Sequence, residues 1–132
     1  MSDIISPVQV ETAIREVANR MAEGVQICSD RYAAFLDADH RFDVAYARAY
    51  MQHEGPAHEK KYAAVLATRG ERDARDAADV AYRHADRRAK ALESELRSLQ
   101  SVGASLRVQY SVAGRGAVSY THLRAHETEA DL

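Results

Sequence analysis

This chain predicts an all-α fold, in which two long helices form an antiparallel, coiled-coil-like hairpin with a short connecting helix and assemble as an oligomer. Three observations carry that reading. Alanine, arginine, glutamate, aspartate and leucine dominate, while the 132 residues hold two prolines, six glycines and no tryptophan, the composition of helices rather than of a sheet. Apolar residues recur at intervals of seven along two separate stretches, as core-facing helices require. One Gly-Pro pair separates those stretches. The length suits a single domain, placed at residues 1–116.

The first helix begins at Ser6-Pro7, with Ser as N-cap, Pro at the first helical position and Glu11 in the opening turns. Ile14, Met21, Cys28, Phe35, Phe42 and Ala49 form one row of its seam. Val10, Val17, Gly24, Ala38 and Ala45 form most of the other, with Arg31 the exception. A helix from Pro7 to His53 would be about 70 Å long at 1.5 Å per residue, and Gly24 is the one place for it to bend. Gly55-Pro56 stops it, because proline clashes with the preceding turn and glycine accepts the left-handed C-terminal conformation.

A short helical segment, His58 to Thr68, leads past Gly70 into the second seam. There Ala78, Ala85, Leu92, Leu99 and Leu106 form one row, and Tyr82, Ala89, Leu96, Gly103 and Tyr110 the other. Tyr82 and Tyr110 are therefore expected in the core. Val25, Tyr32, Leu36 and Tyr46 widen the apolar stripe beyond what one hairpin covers, which predicts self-association.

The start, MSDIIS, lacks a basic leader region, and the longest wholly apolar run is Ala63 to Ala67, far below a membrane span of about 20 residues. The expectation is a soluble, cytoplasmic protein without membrane contact. The single cysteine, Cys28, falls in the apolar register and reads as a reduced core thiol.

The last residues stand apart. Back-translated, Val118 to Thr128 resembles, base for base, the adapter left by transposase-based sequencing libraries, and Ala117, Asp131 and Leu132 fit the frame on either side. Residues 117–132 are accordingly expected to be a non-native tail. His122 and His126, four apart, would supply two zinc ligands of the roughly four that a site needs, and no cysteine stands near them. No metal and no cofactor is expected.

Charge divides the chain. Residues 1–59 carry five basic and ten acidic side chains, a balance of −5, and residues 60–116 carry twelve and seven, a balance of +5. Such asymmetry fits an anionic partner or two halves that attract each other. On the second helix, Arg75, Arg83, Lys90 and Arg97 each have an acid four positions earlier (Glu71, Asp79, Asp86 and Glu93), which reads as a solvated, ion-paired face. Lys60, Lys61, Arg87, Arg88 and Arg107 have no acid three or four positions away. These are the candidates for phosphate contact, or for contact with acidic neighbouring subunits. Tyr50, off the seam and near Lys60 and Lys61, is the candidate for stacking on an unpaired base. His53, Glu54 and His58 bracket the turn without matching a zinc pattern. No glycine-rich phosphate loop, nucleophile elbow or apolar carboxylate pair is present, so no enzymatic activity is expected.

The strings AYARAYMQHEG (Ala45 to Gly55) and LATRGERDARDAADVAYRHADRRAKALESELRSLQSVGASLRVQY (Leu66 to Tyr110) resemble a group of small phage-encoded helical proteins. The shared residues are Ala45, Tyr46, Ala47, Arg48, Ala49, Glu54, Gly55, Ala78, Glu93, Leu96, Gln100, Ser101, Ser105 and Tyr110, and the likeness covers Tyr32 to Tyr110. More distantly, size, helix order and a trailing Ser-rich helical stretch are similar to the UvsY-type recombination mediators of tailed phages. That likeness implies an oligomer that binds single-stranded DNA and works with a recombinase in the host cytoplasm. The competing expectation is a helical protein-binding adaptor, scaffold or phage-encoded inhibitor that does not bind nucleic acid.

Overall fold

The computed structural model describes the backbone of residues 6–129 and the side chains of residues 6–113. Among these residues there are three helices and no strand: α1 (Pro7–Gln52), α2 (Ala57–Ala67) and α3 (Arg69–Glu129). The side chains of His122 and His126 lie outside the described residues, as do those of the whole adapter-like stretch.

The start of α1 is set by a reciprocal cap. The Gln9 backbone N–H donates to Ser6 Oγ at 3.2 Å, and the Ser6 N–H donates to Gln9 Oε1 at 2.9 Å. Two N–H groups that no intrahelical carbonyl could reach are thereby satisfied. At the other end α1 stops at Gln52, just ahead of the Gly55-Pro56 turn. A Cβ on Gly55 would lie 2.7 Å from His53 Nε2 and 3.0 Å from Glu59 Oε2. Only glycine lets those two side chains close over the turn, where they stand 3.4 Å apart.

The break between α2 and α3 falls at Thr68, where the sequence ends the short segment, and Gly70 sits inside the first turn of α3. Thr68 adopts φ −112° and ψ 21°, is buried, and its hydroxyl donates to the Ala64 carbonyl at 2.6 Å. The Arg72 N–H then donates to the Thr68 carbonyl at 3.0 Å, which opens α3. A threonine that bonds back to the preceding turn punctuates the helix as effectively as a glycine.

The chain divides into two compact units. Within Arg20–Leu92, α1 and α3 meet in antiparallel order: Tyr32 packs on Tyr82 with ring centroids 5.1 Å apart, and Phe42 meets Arg75 at 4.5 Å. The buried residues of this unit are Ala64, Thr68, Ala85 and Leu92. Opposite Ala85 and Ala89, Gly24 leaves a cavity of about 170 Å³ that Ile27 and Leu92 also line. The second unit joins Met1–Asn19 to Glu93–Leu132. Its buried residues are Val10, Val17 and Gly103, and Val10 sits directly over Gly103, whose added Cβ would meet Val10 Cγ1 at 3.3 Å.

Most seam residues are half-buried: Ile14, Met21, Cys28, Phe35, Phe42 and Ala49 all follow the expected row, and Arg31 is exposed. One expectation fails here. Tyr110 is 57% exposed and not in the core, because Val10, in the first turn of α1, already faces Gly103. Two turns further along α3, Tyr110 has run past the described part of α1.

Candidate nucleic-acid interface

The five cations without an acid at helical spacing remain without one among the described residues. Lys60, Lys61, Arg87, Arg88 and Arg107 form no ion pair among the described residues, whereas Arg83–Asp79 (2.9 Å) and Lys90–Asp86 (3.0 Å) close as their four-residue spacing requires. Those closed pairs are largely exposed and contribute a few tenths of a kcal/mol each, ~0.3 in typical helices. Arg75 departs from the expected pairing with Glu71. It is half-buried, lies over the Phe42 ring, bonds Asp76 at 3.2 Å and approaches Asp39 of α1 at 4.0 Å. A planar guanidinium gains more from a ring face and a facing carboxylate than from an exposed glutamate one turn away.

Of the candidate binding residues, the structure brings two together. Lys60 Nζ lies 5.9 Å from the centroid of the Tyr50 ring, so the N-terminal turn of α2 is held against the last turns of α1. Tyr50 is itself 37% exposed and Lys60 half-buried, so the ammonium stands over one side of a partly accessible ring. Lys61 is exposed beside Lys60. Arg87 and Arg88 are exposed further along α3, and Arg88 lines the Gly24 cavity with Arg20 and Glu23. Arg107 belongs to the other unit, where its Nη1 lies 3.8 Å from the position a Cβ on Gly103 would take.

Two features went unread in the sequence. Phe42, Tyr46 and Tyr50 form a ladder on α1, with centroids 6.0 and 6.3 Å apart, that ends in a cation at each side: Arg75 over Phe42 and Lys60 near Tyr50. Their four-residue spacing was the available signal. Arg48 of α1 also has no acid three or four positions away and is exposed, which the same rule applied to the first helix would have found.

Among the described residues, no group of three or more His, Cys, Asp or Glu side chains is placed to hold a metal ion, and no helix is long and apolar enough to cross a membrane. His53 reaches only Glu59, and Cys28 is a half-buried free thiol. No protein family, curated protein or solved structure matches this chain.

Proposed function

We propose that the chain is a non-enzymatic binding protein: a helical hairpin that self-associates and holds single-stranded DNA along its unpaired cations, in the manner of a phage recombination mediator serving a recombinase. The observation that carries this reading is the Tyr50–Lys60 pair, in which an accessible ring and an ammonium lie 5.9 Å apart. A base stacks on the ring while its phosphate meets the cation, the pairing used by sequence-tolerant single-strand binders. Lys61, Arg87, Arg88 and Arg107 extend the positive surface, and repetition across an oligomer lets individually weak phosphate contacts act together. Support for the hairpin itself comes from the antiparallel order of contacts within Arg20–Leu92. Self-association is supported by the exposure of Val25 (69%), Tyr32 (47%) and Leu36 (47%) on one helix.

The test is binding of a single strand of roughly 40 nucleotides across a salt series starting at about 50 mM, since phosphate contacts make affinity fall steeply with salt. Arg87→Glu with Arg88→Glu weakens binding for all sequences and lowers the salt slope by roughly one unit for each phosphate no longer neutralised, with helicity unchanged. Tyr50→Ala weakens binding and leaves the slope alone, because stacking releases no counterions. Absence of binding by the unmodified protein at the lowest salt would remove this reading. The second reading, a helical adaptor, is favoured by the same exposed Val25, Tyr32 and Leu36, and predicts neither the salt slope nor the Tyr50 effect.

A further inference from the structure

Within Arg20–Leu92, the packing of α1 on α3 sorts the side chains that flank the seam onto two edges of opposite character. One edge carries Arg20, Arg41 and Arg48 of α1 and Arg88 of α3. Arg20, Ile27, Arg41 and Arg48 follow one another at multiples of seven residues, which keeps them on one side of α1, and Arg88 lines a cavity with Arg20 and Ile27. The opposite edge carries Tyr32, Asp39 and Tyr46 of α1 with Asp79 and Asp86 of α3. Tyr32 packs on Tyr82 and Asp39 reaches Arg75, while Asp79 and Asp86 stand one turn to either side of Tyr82.

The edges match in spacing as well as sign. Arg41 and Arg48 are seven residues apart, and so are Asp79 and Asp86; each interval is about 10.5 Å along a helix. Both edges also expose apolar surface, Ile27 (48%) on the first and Val25 (69%) and Tyr32 (47%) on the second, and the Gly24 cavity on the arginine edge gives a side chain somewhere to insert. We propose that the arginine edge of one copy docks on the tyrosine–aspartate edge of the next, so that the chain associates head to tail and not through a two-fold contact. The inference rests on the self-association proposed above; it shares Arg88 with the proposed strand-binding surface, and its test therefore uses Arg41 and Arg48, which that surface does not include. A nucleic-acid strand fits this edge less well, because Glu23, Asp30 and Asp37 each lie three or four residues from Arg20, Ile27 or Arg41 and would repel a continuous row of phosphates. Asp37 already bonds Arg41 at 3.0 Å in an exposed pair. Asp79 and Asp86 are paired with Arg83 and Lys90 at 2.9 and 3.0 Å, so the edge that would meet the arginines carries cations that can face the acidic row as well.

Sedimentation velocity on the full chain tests this with two charge-reversed variants, Arg41→Asp with Arg48→Asp, and Asp79→Arg with Asp86→Arg. Each alone falls to monomer mass, and an equimolar mixture regains the wild-type mass, because every contact in the mixture is again between opposite charges. Asp79→Arg and Asp86→Arg place like charges beside Arg83 and Lys90, so Asp79→Asn with Asp86→Asn is run beside them, and helicity is checked for all. Wild-type assembly that survives both reversals, or a mixture that stays monomeric, overturns the head-to-tail contact and leaves self-association standing. A monomeric wild-type protein at about 100 μM, well above the micromolar range of specific association, removes self-association itself. A wild-type mass that rises only when single-stranded DNA is added, and does so only with the arginines intact, assigns the arginine edge to the strand and overturns the proposal.

Discussion

Gly24 and Gly103 both stand on the seam, yet their surroundings are opposite. A Cβ added to Gly24 meets nothing within 4 Å, whereas one added to Gly103 lies 3.3 Å from Val10 Cγ1. The unit Met1–Asn19 with Glu93–Leu132 uses its glycine as a seat for a buried valine. The unit Arg20–Leu92 leaves its glycine over a cavity of about 170 Å³. A helix-interior glycine lowers stability by roughly 0.5–1 kcal/mol relative to alanine. At Gly103 that cost is offset by the packing of Val10, and at Gly24 nothing visible within the chain offsets it.

Substitutions can sharpen that contrast, each measured by thermal and urea unfolding at one protein concentration, since association shifts apparent stability. The largest effect is expected at Leu92, 5% exposed and already lining the cavity. Leu92→Ala costs about 2–5 kcal/mol and falls near the lower figure if solvent fills the enlarged space. Gly103→Leu comes next, at roughly 1–3 kcal/mol from overpacking. Combining it with Val10→Ala recovers part of that loss, and simple additivity of the two changes would show that the valine does not rest on the glycine. Gly24→Ala has the opposite sign for the isolated chain, a gain of roughly 0.5–1 kcal/mol, because an added Cβ meets nothing within 4 Å. The docking proposed above predicts that the same change lowers the assembled mass, since it narrows the cavity a neighbouring copy enters. The smallest effect is the truncation after Gly116, which the adapter-like character of residues 117–132 predicts to leave unfolding and mass unchanged within error.

The helical seams were legible because a seven-residue period is a local property of the chain. Every residue from Ile14 to Ala49 in the first row is half-buried, and even the exception at Arg31 is exposed as the pattern requires. The unpaired state of Lys60, Lys61, Arg87, Arg88 and Arg107 was legible for the same reason, since an ion pair along a helix needs a partner three or four residues away. Contacts across the seam were not legible. The position of Arg75 over Phe42 depends on which turn of α1 faces which turn of α3, and the exposure of Tyr110 depends on where α1 begins against α3. The end of the short segment at Thr68 was legible, while the hydroxyl bond to Ala64 that fixes it appears only in three dimensions. The Tyr50–Lys60 contact likewise required the turn through Gly55-Pro56 to bring α2 back against α1.

The reciprocal bonds between Ser6 and Gln9 have a practical consequence. Because the Ser6 N–H is already committed to a side chain, a peptide joined ahead of Ser6 cannot extend α1 without breaking that bond. The cap thereby favours a helix start at the same residue when a segment is fused ahead of it. A fluorophore or affinity handle attached there leaves the register of Val10 over Gly103 untouched, which makes this end the natural place to label the protein when its copies are counted or its binding to a strand is followed.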